Sequence, residues 1–266
     1  MTVSDLFIYP IKSCGGIRVK DTLVEKRGLA FDRRWMLVDE RNRFISQREN
    51  AALALLDISI ENNQLIVSKR FTDQRILVPL LTNNEINDAE RLSVTIWEDE
   101  CLSIEIDKKI SNDFSQLLGM TCKLVYMPED CMRQIDEKYA TKGDITSFSD
   151  GYPILLLGQS TLDNLNKKLE TPITINRFRP NIVFTGGFPH QEDEFKNFQI
   201  NEALFEGVKL CKRCIIPNID QHTALAGNEP TATLVKYRLH ENKVLFGQNV
   251  LVKKTGTISV GDIIQF

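Results

Sequence analysis

Through residue 106 the apolar side chains come in short alternating runs, at 3–9, 34–39, 53–60, 64–68 and 92–97, divided by turn-forming residues. A period of two in β-branched and aromatic residues predicts antiparallel strands in which every second side chain faces a core. Asn62 and Asn63 separate two of these runs. They suit a tight hairpin, because Asn tolerates the positive φ that such turns require. Residues 111–118 break the pattern: Ser111 precedes Phe114, Leu117 and Leu118 at helical spacing, and Gly119 ends the run. That predicts a short connecting helix with a Ser cap.

Residues 128–149 are polar and charged without a sustained period, which reads as a long loop of the kind that often carries function. Beyond it, Ser160 and Asp163 form a capping-box pattern and Leu162, Leu165 and Leu169 repeat at helical spacing, the clearest helix in the chain. Strand-like runs resume at 181–185, 206–210, 232–239, 249–253 and 262–266. No internal repeat or low-complexity segment is visible. The expected class is mainly β with some helix, an α+β chain.

Composition narrows the possibilities. At 266 residues the chain is long enough for one large β domain or two smaller ones. Its 42% hydrophobic and 26% charged content is ordinary for a folded protein. A formal net charge of −3 argues against a general nucleic-acid binder, which needs a surplus of cations on one face. The longest clean apolar stretch, 154–157, is far short of the roughly 20 residues that cross a bilayer. Met1 leads directly into strand-like sequence, so no signal peptide or membrane anchor is expected. Six cysteines in a chain that needs no disulfide staples fit a reducing compartment, and a cytoplasmic location is expected. With three histidines and no second C-x-x-C, a zinc site would have to recruit scattered ligands.

Four segments carry candidate chemistry. In Cys211-Lys212-Arg213-Cys214, adjacent cations would stabilise a thiolate, although two buried core cysteines fit the spacing equally well. In Arg177-Phe178-Arg179-Pro180-Asn181, guanidinium groups suit phosphate and Asn suits the edge of a heterocycle. Plain surface arginines would look the same. The segment Tyr9-Pro10-Ile11-Lys12-Ser13-Cys14-Gly15-Gly16 ends a strand in a cation, a hydroxyl and two glycines. It is either an approach of backbone amides to an anion or an ordinary glycine turn. Finally, Asp32-Arg33-Arg34-Trp35 opens an alternating run, so its arginines diverge and an inward one needs Asp32 or a bound anion as partner.

These four segments, taken in order, resemble the MOSC proteins, and most closely the branch that contains the mitochondrial amidoxime-reducing component and its bacterial relatives. The likeness spans nearly the whole chain. It includes Ile8-Tyr9-Pro10-Ile11-Lys12-Ser13-Cys14, Asp32-Arg33-Arg34-Trp35, Phe178-Arg179-Pro180-Asn181-Ile182, Arg213-Cys214, Phe246-Gly247-Gln248 and Gly256-Thr257-Ile258-Ser259-Val260-Gly261-Asp262. The resemblance implies an N-terminal β-barrel-like domain over 1–124 and a MOSC β-barrel domain over 125–266. Between them it implies a molybdenum cofactor, molybdenum carried on a molybdopterin. Cys214 would be the thiolate ligand to the metal and the catalytic anchor, with Lys12, Ser13, Arg33, Arg179, Asn181 and Arg213 contacting the cofactor.

The implied activity is reduction of N-hydroxylated small molecules. The chain lacks the clustered cysteines of a ferredoxin centre, so electrons would come from a separate donor protein of ferredoxin, flavoprotein or cytochrome type. One departure from the family pattern lies at 218–224, where Asn-Ile-Asp-Gln-His-Thr-Ala replaces Thr-Val-Asp-Pro-Asp-Thr-Gly and retains Asp220 and Thr223. Two other readings stay open: a carrier of sulfur as a cysteine persulfide, and a non-catalytic carrier of the cofactor.

Overall fold

The computed structural model describes residues 1–266, the side chain of Asn83 excepted. Its largest element is a nine-stranded sheet that strands from both ends of the chain build together. Thr2–Ile8 pairs antiparallel with Ile182–Thr185, which runs parallel to Ile154–Gly158. The sheet continues through Lys243–Lys254 and Ala203–Lys212 to Asn197–Ile200 and Ile264–Gln265. Alternation puts Leu6, Leu156, Phe184, Phe205 and Val250 on one inner face, each at most 1% exposed. A three-stranded sheet joins Gly256–Ser259 to Asp21–Glu25 and Gly28–Leu29, so the last residues also lean on the first.

The segment between residues 35 and 126 forms a four-stranded sheet, with Trp35–Val38, Lys123–Tyr126, Asp99–Glu105 and Arg91–Ile96 in spatial order. Beside it lies the meander Leu56–Glu61, Gln64–Lys69 and Arg75–Pro79. Its first turn is the Asn62-Asn63 hairpin, with φ values of 49° and 59° and the register Glu61 opposite Gln64. The helix Lys108–Leu118 buries Ile110, Phe114 and Leu117 against Leu65 and Leu124. Truncating a fully buried ring such as Phe114 to Ala costs about 3–5 kcal/mol.

Three local expectations are corrected. The helix of the first half starts at Lys108, because Asp107 accepts from the amides of Lys109 and Ile110 at 2.7 and 3.1 Å. Ser111 instead donates its hydroxyl to Glu105 at 2.7 Å. The helix Gln159–Asn166 has no side-chain cap, and Ser160 Oγ is buried without a partner. The strand expected at 232–239 is the helix Thr231–Arg238. Its β-branched residues are overruled by fixed acceptors at the helix start: Asn218 Oδ1 takes the Thr231 amide at 3.1 Å and Glu229 takes the Thr233 amide at 3.0 Å. Residues 128–149 are a loop, tied by the two-residue strands Arg133–Gln134 and Ile145–Thr146. Among the described residues, no helix is long and apolar enough to cross a membrane.

Candidate functional site

Where the strand ends of the large sheet meet the turn after Thr2–Ile8, a cleft of about 260 Å³ opens. Lys12, Ser13, Arg33, Arg179, Asn181, Arg213 and Cys214 all line it, so the four candidate segments converge on one place. Three of these residues hold left-handed backbone: Ser13 at φ 70°, Arg33 at 49° and Arg179 at 56°. Such non-glycine conformations cost on the order of 1–3 kcal/mol each and persist where the surroundings over-determine them.

Tyr9 organises the arginines. Its ring is 2% exposed, and the guanidinium groups of Arg33 and Arg179 lie 4.4 and 4.2 Å from its centroid. Arg33 Nη1 donates to Asp32 at 2.6 Å and to Asn181 Oδ1 at 2.9 Å. Arg34 turns the other way, to the Met127 carbonyl at 2.7 Å and Glu129 at 2.5 Å. The divergence of the pair comes from the left-handed turn at Arg33, not from the pleat of a strand, which begins only at Trp35.

Arg179 Nη1 donates to the Cys14 carbonyl at 2.7 Å, while its Nη2 is buried with no protein partner. Burial pushes the Arg179 pKa down to about 10, against the nearby Tyr9 oxygen. Arg213 is similar: Nη2 holds the Phe178 carbonyl at 2.8 Å, Nη1 reaches Cys211 Sγ at 3.1 Å, and its buried Nε lacks a partner. Asn181 is committed to the protein. Its Oδ1 also accepts from the Leu155 amide at 3.2 Å and its Nδ2 donates to the Phe7 carbonyl at 3.1 Å. Cys211 and Cys214 are both half-buried in the cleft wall.

Neither Gly15 nor Gly16 lines the cleft. The Gly15 amide is spent on the Leu56 carbonyl at 2.8 Å, and a Cβ at Gly16 would overlap the Tyr9 ring. This is a close-packing turn.

Several lining residues escaped sequence reasoning: Gln47, Arg48, Asp150, Tyr152, Lys209 and Asn249. Asp150 bonds Lys12 Nζ at 2.6 Å. Burial pushes the Lys12 pKa down to about 8, with Asp150 working against that fall. Partial enclosure by the cleft walls acts upward on the Asp150 carboxyl, but Lys12, Arg48 and Arg33 hold it well below the usual range. The Asp150-Gly151 turn, directly after the polar segment 128–149, was the available signal. Arg48 had none.

The departing loop at 218–224 is braced from both sides. Asp220 accepts from the His222 and Thr223 amides at 2.9 and 2.8 Å and from Arg177 at 3.0 Å. The Gln47 and Gln221 side chains exchange hydrogen bonds at 3.1 and 3.0 Å.

The family model of the MOSC N-terminal beta barrel domain matches residues 1–121, and that of the MOSC domain matches 144–265. The chain belongs to the MOSC family. This MOSC chain is 30% identical to mitochondrial amidoxime-reducing component 1 of Mus musculus, over 98% of its own length and 81% of the relative. It is likewise 30% identical to mitochondrial amidoxime reducing component 2 of Rattus norvegicus, over 98% and 82%. The molybdenum cofactor sulfurase of Oryza sativa subsp. japonica is 28% identical over 92% of this chain, which spans 32% of that longer protein.

The donor set fits a group that is anionic, hydrogen-bonding and thiophilic at once. Arg179 Nη2 and Arg213 Nε are buried donors awaiting acceptors, and a half-buried thiol stands beside them. Among the described residues no group of three His, Cys, Asp or Glu side chains could cage a bare metal ion. A metal here would arrive with ligands of its own.

Proposed function

We propose that the cleft binds a molybdenum cofactor and that the protein reduces N-hydroxylated small molecules with electrons from a separate donor protein. The observation that carries the reading is the convergence of Cys214 with buried, under-partnered guanidinium groups in one cationic cleft. Cys214 supplies a soft sulfur for the metal. Arg179, Arg213, Arg33 and Lys12 supply cations for the anionic group of the pterin. Ser13 adds a hydroxyl, and Asn181 holds Arg33 in place. When bound, the cofactor supplies two-electron chemistry that, with two protons, converts an N–OH group into N–H and water. The protein's part is to orient the cofactor, withdraw its anion from water and leave the metal side open to a small substrate. The division into an N-terminal domain over 1–124 and a second domain over 125–266, with the cofactor between them, belongs to this reading, as does a cytoplasmic setting.

Expression in a host able to make the cofactor tests it. About one molybdenum per chain is expected, with conversion of an N-hydroxylated compound under reduced viologen and loss of both in Cys214→Ser. Equal slow conversion by wild type and variant would remove the metal from the chemistry. Cys211 beside Cys214 favours one second reading, a persulfide carrier, which a metal-free protein bearing a labile sulfur would identify.

A further inference from the structure

Among the described residues lining the cleft, Asp150 is the single carboxylate, facing seven Lys and Arg side chains. Its Oδ1 lies 2.6 Å from Lys12 Nζ and its Oδ2 3.5 Å from Arg48 Nη2. One oxygen on each of two cations is also how a tetrahedral dianion would sit there. The two partners differ in freedom: the Lys12 side chain is 5% exposed and that of Asp150 58%. The cation is fixed in the wall, and the carboxylate reaches it from the solvent side.

The backbone beneath Asp150 is held independently. Arg133 Nη1 donates to the Ser147 and Ser149 carbonyls at 3.0 and 2.5 Å, and its Nε bonds Asp99 at 2.9 Å. The Asp150 carboxylate can therefore swing about its own side-chain torsions while the turn stays in place.

We propose that Asp150 is a displaceable internal anion, which occupies the Lys12–Arg48 subsite of the unloaded protein and is exchanged for a phosphate-class dianion when the cleft fills. The inference rests on the reading of this cleft as the cofactor's site. A buried ammonium needs a counter-charge in every state. The carboxylate provides one before loading, and the incoming dianion provides it afterwards. Both cannot stay, because like charges at contact distance repel strongly. The loss of the Lys12 contact is offset by water, which resolvates the exposed side of the carboxylate, and by the dianion that takes its place on the cations. A singly charged anion has little advantage over the resident one, so the exchange selects dianions.

The experiment uses inorganic sulfate at pH 6, a dianion with the geometry of phosphate and no titration of its own there, and follows melting of the cofactor-free full-length protein. Asp150→Asn is expected to melt below wild type without sulfate, and to gain stability at sulfate concentrations roughly tenfold lower, because the resident competitor is gone. The double variant Lys12→Met with Asp150→Asn is expected to lose that gain. An equal or weaker sulfate response in Asp150→Asn would overturn the proposal. So would an undiminished response in the double variant, since the anion would then sit elsewhere. Asp150→Ser serves the same comparison, and failure of both single variants to fold even in high sulfate would show that sulfate cannot replace the carboxylate. None of these results bears on molybdenum retention by wild type and Cys214→Ser, which decides the cofactor reading separately.

Discussion

Arg213 Nη1 donates to the sulfur of Cys211 at 3.1 Å, so the two cysteines of the C-x-x-C segment stand in different relations to the arginine between them. Cys211 is an acceptor that helps to aim Arg213, whereas Cys214 is the thiol proposed for the metal. A hydrogen bond donated by a charged guanidinium contributes about 1.5–3 kcal/mol, and a serine hydroxyl at position 211 can still accept it. Cys211→Ser should therefore hold its molybdenum to within roughly tenfold in affinity, about 1.4 kcal/mol, and Cys214→Ser should lose most of it. Metal analysis of both purified variants decides. Similar losses in the two would mean that the segment acts as a unit and that no single ligand can be assigned.

Arg179 and Asn181 are two positions apart and should fail in opposite ways. Asn181 is 1% exposed and bonds Arg33, Leu155 and Phe7. Asn181→Ala strands buried polar groups and should destabilise the fold by about 1–3 kcal/mol. Arg179 carries a buried nitrogen that the protein leaves unpartnered. Arg179→Ala gives up a single protein hydrogen bond, to the Cys14 carbonyl, so it should cost less stability than Asn181→Ala while lowering pterin content by roughly ten- to a hundredfold. Paired measurements of melting and bound pterin test this. A large stability loss in Arg179→Ala with cofactor retained would make it a structural residue.

The strands and the Asn62-Asn63 hairpin were legible because they rest on a period of two and on local turn chemistry. What was hidden depends on partners far away in the chain. Thr231–Arg238 looks like a strand until Asn218 and Glu229 supply its first acceptors. Ser111 looks like a cap until Glu105 takes its hydroxyl. The site shows the same division. Its lysine, arginines and cysteine stand in family motifs, but Arg48 sits in an unremarkable stretch and reaches the cleft only through the tertiary fold. Asn181 was read as a group for the cofactor's edge, and a bracing role for it required knowing that Phe7 and Leu155 lie beside it.

Lys12 gives the anion site a pH dependence. Burial, opposed by Asp150, pushes its pKa down to about 8. A bound anion favours the charged form, so affinity should be full below about pH 8. Above that pH the free protein loses the proton that binding requires, and affinity should fall by up to about tenfold per pH unit until the pKa of the bound form is reached. In Lys12→Arg the cation persists throughout, so the curve should be flat from pH 7 to 9.5. Sulfate or cofactor titrations at several pH values distinguish the two, and parallel curves would exclude Lys12 as the titrating group.

Outside the lining of the cleft, Glu192 should make stability pH-dependent in the acid range. It is 0% exposed; its Oε2 accepts from Thr161 at 2.8 Å, and its Oε1 is buried without a partner. Burial pushes its pKa up to about 7, more than its hydrogen bonds pull it down, and nearby Asp193 adds to the rise. In the unfolded chain the carboxyl titrates near its ordinary value of 4.5. Between those two values the folded protein keeps a proton that the unfolded chain releases, so this group's contribution is most favourable below about pH 4.5. It diminishes as pH rises and is fully lost above about 7. The span corresponds to about 3 kcal/mol. Glu192→Gln cannot ionise, so its stability relative to wild type should increase across that window and level off on both sides, whatever the constant offset from the new amide. Urea unfolding of the two proteins at pH 5, 6, 7 and 8 gives the difference directly. A difference independent of pH would show that Glu192 ionises at its ordinary value despite complete burial.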